Sequence, residues 1–244
     1  MFARILLGFL LKSIPSDLRR RLAVHLGVPD IRWSLRQLRR FGFVPNNIMD
    51  VGAFRGDWTK ICLEIFPDAS ITCVEPQDGL QDTLRELAER HPNIHIIQTL
   101  LGRSVNNNVR FDEQGPGSSV LLSSTSGTVK AMTTIDKLTE SKLCNAPELL
   151  KLDAQGYEIE ILEGYTKYFD TCQVIQCELS LLPLVPQAPL LAEVVAYFQN
   201  RGFVMFDVEE IIHSPSDGAV WQIDALFCRA DSYPRNQRAW IKEV

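Results

Sequence analysis

The stretch of sequence that decides the fold begins inside a short apolar run and reads Asp50-Val51-Gly52-Ala53-Phe54-Arg55-Gly56-Asp57-Trp58-Thr59. An apolar run, a turn with two glycines and an amphipathic stretch together predict a strand that passes through a tight turn into a helix. Gly52 and Gly56 free the backbone to turn tightly and let a ligand approach main-chain atoms closely. The turn lacks the GxGxxG spacing of dinucleotide-binding proteins, and the chain contains no GxxxxGK[ST] phosphate loop. A nicotinamide oxidoreductase is therefore disfavoured.

Outward from this turn, short apolar runs alternate with longer amphipathic stretches, which is the pattern of βα units around a parallel sheet. The predicted strands are 48–51, 70–75, 95–98, 149–153, 174–178, 204–207 and 222–227. The predicted helices are 31–41, 58–66, 80–90, 158–165 and 190–201. The sequence thus predicts an α/β fold without internal repeats.

The regular spacing breaks once, between the third and fourth predicted strands. Residues 99–148 have little helical periodicity, and turn-forming residues such as those at 115–119 alternate there with β-branched runs. This pattern predicts inserted β-hairpins. Because the insertion follows a parallel strand, we expect it on the ligand-binding edge of the sheet, and insertions of this length are often functional.

Four of the five central apolar runs end on an acid, namely Asp50, Glu75, Asp153 and Glu178. The carboxyl ends of parallel strands line one edge of a sheet, and ligands bind in the crevice there. A rim of like charges favours a cationic or hydroxyl-rich ligand. The alternative is that each acid only caps the helix that follows it, which explains four acids together less well. An acid at the end of the second strand, after a glycine-rich first turn, can accept hydrogen bonds from both ribose hydroxyls of a nucleoside.

These motifs resemble the FkbM family of S-adenosylmethionine-dependent methyltransferases. The family is marked by a DVGAN-x-G-x-x-T turn, an E-P pair after the second strand, and a K-[IL]-D-x-[EQ]-G-x-E segment. The corresponding stretches here are Asp50 to Thr59, Glu75-Pro76 and Lys151 to Glu158. The resemblance covers roughly residues 45–230, and the combination of motifs is specific although each one alone is weak.

The resemblance implies a class I methyltransferase (Rossmann-like) fold, with a seven-stranded, mostly parallel sheet, an antiparallel last strand and helices on both faces. It places the β-rich insertion between strands 3 and 4 and implies S-adenosyl-L-methionine as the cofactor. The residues that would form the cofactor pocket are Asp50, Gly52, Ala53, Gly56, Thr59, Glu75, Pro76 and Leu101. Glu75 would bind the ribose hydroxyls, and Leu101 with its neighbours would flank the adenine.

The resemblance also places Asp153 opposite the methyl group and the acceptor. We expect this carboxylate to accept the proton of an acceptor hydroxyl or to orient it, with Glu178 or Glu158 as alternatives. A helix cap is the competing interpretation of Asp153. No metal ligand is predicted, because the histidines and cysteines form no ligand spacing, although a rim of carboxylates leaves a metal-dependent transferase open.

Two residues depart from the family pattern. Phe54 stands where the family usually has Asn, so a side-chain contact near the methionine end of the cofactor is expected to be missing. Gln155 stands where many members have an acid, and its amide cannot act as a base or bind a cation strongly.

The sequence therefore predicts a methyltransferase that methylates a hydroxyl of a saccharide or another small-molecule acceptor. The alternative is a non-catalytic methyltransferase-fold interaction module, which Phe54 favours and the intact set of acids and glycines opposes. Neither the acceptor's identity nor the oligomeric state follows from the sequence.

Charge is distributed unevenly along the chain. Residues 1–44 contain nine Lys or Arg against two Asp or Glu, whereas the whole chain has a net charge of −5. We expect a basic helical segment at 1–44, a methyltransferase domain at 45–230 and a tail at 231–244. An acidic body argues against a nucleic-acid partner. We expect an amphipathic helix at residues 2–10 to pack against the domain or a second subunit; the alternative is membrane contact, which would be made only through this helix. Six cysteines without CxxC spacing indicate free thiols and a cytoplasmic protein.

Overall fold

A computed structural model describes residues 30–113, 115–121 and 127–232. The predicted helix at residues 2–10 lies outside this range, as does most of the predicted tail. In the part of the chain that is described, no helix is long and apolar enough to cross a membrane.

The main sheet has seven strands and confirms the predicted α/β fold. Its strands are β1 (Asn47–Val51), β2 (Ser70–Val74), β3 (Ile94–Ile97), β7 (Leu149–Leu152), β8 (Val174–Ser180), β9 (Phe203–His213) and β10 (Val220–Arg229). The strand order is β3-β2-β1-β7-β8-β10-β9. The pairs among β1, β2, β3, β7 and β8 are parallel, and β10 runs antiparallel to both of its neighbours. The antiparallel last strand was also predicted.

Helices cover both faces of this sheet, as expected. They are α1 (Ile31–Arg40), α2 (Asp57–Ile65), α3 (Gln81–Arg90), α4 (Ile135–Glu140), α5 (Glu158–Glu163) and α6 (Leu191–Gln199). Apolar side chains of α1, α2 and α3 form one buried cluster with β1 and β2, and those of α4, α5 and α6 form a second cluster on the opposite face. Five of these helices match the predicted ones to within a few residues. Helix α4 was not predicted, because it lies within residues 99–148, where the sequence shows little helical periodicity; Thr134 caps it by accepting from the backbone N–H of Lys137.

The insertion forms a separate three-stranded sheet. It contains β4 (Leu100–Leu101), β5 (Asn106–Phe111) and β6 (Thr128–Thr133), in the order β4-β6-β5. Strands β5 and β6 pair antiparallel, which confirms the predicted hairpin, and β4 pairs parallel to β6. Since β4 follows directly on β3, the small sheet lies beside the carboxyl edge of the main sheet.

Candidate active site

A cavity opens at the carboxyl ends of the central strands. Five of the predicted site residues line it, namely Gly52, Glu75, Pro76, Leu101 and Asp153. The insertion contributes Gly115, Ser118 and Val120 to the lining of this cavity. The other predicted residues lie beneath or beside this cavity and do not line it.

The turn after β1 is held between two neighbouring strands. The backbone N–H groups of Gly52 and Ala53 both donate to the Val74 carbonyl, at 3.0 and 3.2 Å. Gly52 has φ of +71°, and a Cβ atom there would lie 2.0 Å from the Asp153 carbonyl oxygen. No residue with a side chain fits this approach, so glycine brings the turns after β1 and β7 into contact.

Gly56 does not itself line the cavity. It precedes the first residue of α2 with φ of +72°, and a Cβ atom there would lie 2.6 Å from Cδ2 of Leu87 on α3. Gly56 therefore lets α2 begin tightly against α3, and it shapes the cavity only by placing that helix.

Glu75 lies at the mouth of the cavity with its carboxylate fixed by the backbone. One oxygen accepts from the Phe54 N–H at 2.8 Å and the other accepts from the Gln77 N–H at 3.0 Å. The residue is 2% exposed. Burial raises the pKa of Glu75 above its ordinary value, and these two hydrogen bonds act in the opposite direction. The carboxylate is thus preorganised, because both backbone donors hold it in one orientation.

Asp50 is fully buried and supports the site from below. One carboxylate oxygen accepts from Thr59 Oγ1 at 2.6 Å, and the other lies 3.2 Å from Lys151 Nζ. Lys151 lies on β7 beside Asp50, and its Nζ also lies 3.2 Å from Asp153 and donates to the Gly52 carbonyl at 2.9 Å. Burial alone would lower the pKa of Lys151, but the two carboxylates raise it above its ordinary value. Lys151 is therefore a permanent cation that ties Asp50, the glycine turn and Asp153 together.

Asp153 combines exposure to the cavity with a charged partner. Its side chain is 38% exposed, and the oxygen that does not face Lys151 accepts from Gln155 Nε2 at 3.1 Å. The same amide nitrogen donates to Glu178 at 3.1 Å, and Gln222 donates to that oxygen of Glu178 as well, at 2.6 Å. Asp153 and Glu178 are thus brought together, through the amide of Gln155.

Glu178 is a carboxyl group that keeps its proton at neutral pH. Burial raises its pKa to about 9, and the neighbouring acids Asp153, Asp224 and Glu158 add to the rise. Asp224 pairs directly opposite Glu178 on β10, and burial together with Asp153 raises its pKa to about 7. The carboxyl end of β8 and the amino-terminal half of β10 beside it therefore bring several acids together, with Lys151 as the cation near them.

Glu158 lies under the floor of the cavity. It is buried at the first residue of α5, and one oxygen accepts from the N–H groups of Ala154 and Gly156 at 3.0 and 3.1 Å. Burial raises the pKa of Glu158 to about 7. Its hydrogen bonds stabilise the turn that carries Asp153 and Gln155.

The sequence did not single out Lys151 or Tyr157 as functional residues. Tyr157 lines the cavity between β7 and α5. Lys151 could have been found, because a lysine inside an apolar central strand needs a buried carboxylate partner.

Phe54 lines the cavity where the family usually has Asn, and it adopts a left-handed backbone with φ of +48°. Among the residues that the structure describes, no group of three or more His, Cys, Asp and Glu side chains is arranged to hold a metal ion.

Known proteins similar to this chain are methyltransferases. The profile of the methyltransferase FkbM domain matches residues 48–205. A hexuronic acid methyltransferase, AglP of Haloferax volcanii, is 25% identical over 169 residues, which cover 65% of this chain and 69% of the relative.

Two solved structures resemble the fold. A putative O-methyltransferase from Klebsiella pneumoniae matches with a TM-score of 0.51 at 13% identity, over 91% of this chain and 94% of that one. The methyltransferase FkbM from Methylobacillus flagellatus KT matches with a TM-score of 0.50 at 14% identity, over 74% of this chain but only 43% of that one. At these identities the structural matches show the fold. The resemblance that the motifs indicated is confirmed by the sequence profile: this chain belongs to the FkbM methyltransferase family.

Proposed function

We propose that this protein is an S-adenosylmethionine-dependent O-methyltransferase that acts on a hydroxyl of a saccharide or another small hydroxyl-bearing acceptor. The observation that carries the proposal is that one cavity is lined by two carboxylates with different partners, Glu75 and Asp153. Glu75 is fixed by backbone donors on one side, and Asp153 is paired with Lys151 on the other. Such a cavity suits a nucleoside at one end and a reacting hydroxyl at the other.

The residues present fit the cofactor. Gly52, Glu75, Pro76 and Leu101 line one cavity, and two backbone N–H groups already hold the Glu75 carboxylate there. Glu75 would hold the ribose hydroxyls, the Gly52 turn would hold the methionine end, and Pro76 with Leu101 would hold the adenine. When bound, S-adenosylmethionine supplies an electrophilic methyl group on a sulfonium.

The chain's own residues then have distinct tasks. Asp153 accepts the proton of the acceptor hydroxyl, because its side chain lines the cavity and Lys151 Nζ lies 3.2 Å from its carboxylate. Asp50 and Thr59 act below the cavity by holding Lys151 and α2 in place. Glu158 holds the turn at Ala154 and Gly156. Positioning of the hydroxyl in the cavity supplies much of the remaining rate.

The saccharide part of the proposal is supported by the similarity to a hexuronic acid methyltransferase. That support comes from a distant relative, so the acceptor screen should include neutral sugars, uronic acids and small alcohols.

The first test is calorimetric titration with S-adenosylmethionine and its demethylated product. We expect micromolar binding to the wild type, a loss of at least about tenfold in Glu75→Ala, and no change in the control Glu89→Ala, an exposed glutamate on α3. An acceptor screen on the wild type and Asp153→Asn follows, with a chelator in a parallel series. Folded wild-type protein that binds neither nucleoside would contradict the proposal and favour an interaction module. Loss of turnover with chelator would instead indicate a metal-dependent transferase.

A further inference from the structure

We propose that Gln155 is a positioning residue, which holds Asp153 apart from Glu178 and connects both to the insertion that covers the cavity. This inference rests on the proposed function, since it takes Asp153 as the group that accepts the proton. Gln155 stands where many family members have an acid, and its amide suits this task better than a carboxylate would.

The side-chain amide of Gln155 bridges two acids. Its Nε2 lies 3.1 Å from Asp153 Oδ1 and 3.1 Å from Glu178 Oε1. An amide NH₂ carries two hydrogens, so it can donate one to each carboxyl group at the same time. A carboxylate in its place has no hydrogen to donate and would add a further negative charge.

The backbone of Gln155 is held from two sides. Its carbonyl accepts from Ser119 Oγ of the insertion at 3.1 Å. The next residue, Gly156, has φ of +92°, and a Cβ atom there would lie 2.4 Å from Cβ of Ala188 in the loop after β8. Gln155 itself has φ of +52°, which is costly for a residue other than glycine and persists only where the surroundings impose it. The direction of the amide is therefore set by the insertion and by the loop after β8.

The charges around Gln155 explain why a neutral donor is needed. The acids facing Glu178 are Asp153, Asp224 and Glu158, and the cation facing them is Lys151. Lys151 lies 3.2 Å from Asp153, so the negative charge is best compensated there. Gln222 donates to Glu178 from the other side. With Gln155 donating to both acids, no proton has to be shared between Asp153 and Glu178.

Carboxyl-detected NMR on ligand-free protein with ¹³C-labelled Asp and Glu tests this arrangement. We would compare the wild type with Gln155→Glu and Gln155→Ala, and assign the signals with Glu178→Gln and Asp153→Asn. Gln187→Glu is the matched control, because Gln187 is exposed and also left-handed, with φ of +66°. In the wild type Glu178 should titrate near its raised pKa of about 9.

In Gln155→Glu the added charge should move the Glu178 midpoint upward by at least about one pH unit. Gln155→Ala should move it upward by less, since a donor is lost without a new charge, and Gln187→Glu should leave it unchanged. Gln155 variants whose midpoints match that of Gln187→Glu would overturn the proposal.

The titration needs neither cofactor nor acceptor, so it can be interpreted even when the calorimetric test of the proposed function fails. With an acceptor from the screen, the acid limb of the kcat/KM profile should move to higher pH in Gln155→Glu, because the added charge favours protonation of the acid cluster. An unmoved limb would overturn the positioning role even if the NMR midpoint shifts.

Discussion

The close approach of Gly52 to the Asp153 carbonyl can be tested by measuring protein stability. Gly52→Ala should destabilise the protein for two separable reasons. Gly52 has φ of +71°, a conformation that costs an L-residue about 1–2 kcal/mol. The new Cβ atom would also lie 2.0 Å from the Asp153 carbonyl oxygen, whereas real Cβ contacts essentially never fall below 3.0 Å.

The second reason can be given a magnitude. Relieving the contact requires the turns after β1 and β7 to separate by about 1 Å, which strains the Asp153 N–H to Val51 carbonyl bond of 3.2 Å. Overpacking of this kind costs about 1–3 kcal/mol. We therefore expect a total loss of about 2–5 kcal/mol in Gly52→Ala. We also expect weaker cofactor binding, because misplacement by 1 Å is costly at a reacting centre.

Urea unfolding of Gly52→Ala beside Gly202→Ala separates the two costs. Gly202 has φ of +79° and nothing within 4 Å of its would-be Cβ atom, so the control bears only the backbone cost of about 1–2 kcal/mol. The difference between the variants should be about 1–3 kcal/mol. Equal unfolding free energies for the two variants would refute the close approach of the two turns.

Three further variants test other parts of the site. Lys151→Met leaves the buried Asp50 without its cation and should cost about 3–5 kcal/mol in urea unfolding, whereas the exposed control Lys60→Met should cost less than about 1 kcal/mol. Burial raises the pKa of Glu158 to about 7 in the folded protein, whereas the same group in the unfolded chain has a pKa of about 4.3. The contribution of Glu158 to stability is therefore fully present below about pH 4.3 and is lost as the pH rises through about 7. Glu158→Gln keeps both backbone hydrogen bonds to Oε1 and has no titrating group, so its unfolding free energy should decrease less between pH 5 and about pH 8 than that of the wild type. An equal decrease in the variant and the wild type would contradict this role of Glu158. Phe54→Asn should raise the unfolding free energy by about 0.5–1 kcal/mol, since Asn tolerates a left-handed backbone better; an unchanged or lower value would argue against strain at this position.

The positions of the strands followed from the sequence because parallel βα units leave a strong and regular pattern. Apolar runs such as 48–51 and 174–178 are short, are bounded by turn residues and are separated by amphipathic stretches. The same reasoning placed the insertion correctly, because residues 99–148 lack that pattern. It missed α4, which begins at Ile135 within those residues and is recognisable by its N-cap Thr134 rather than by periodicity.

The roles of the individual acids did not follow from the sequence. Asp50 and Glu75 both end strands, but Asp50 points beneath the glycine turn to Lys151 whereas Glu75 lies at the cavity. A strand pattern shows where a strand ends; it does not show which side chain of a neighbouring strand lies opposite. The pairing of Asp50 with Lys151 depends on the parallel register of β1 and β7, which sequence spacing does not define.

The acids at the site have different partners, and these partners indicate a different role for each acid. Glu158 uses its carboxylate on backbone donors under the floor, and the pKa of Glu178, raised to about 9 by burial and neighbouring acids, keeps that group protonated near neutral pH. Asp50 is fully buried. Asp153 has a cation within 3.2 Å, an amide donor at 3.1 Å and a side chain that is 38% exposed at the cavity. A group that takes a proton from a bound acceptor must be reachable from the cavity, and Asp153 meets this condition. The surrounding acids then make chemical sense as well: because they hold their protons or are bound to backbone groups, the charge at the cavity is concentrated on the carboxylate that we propose for the proton transfer.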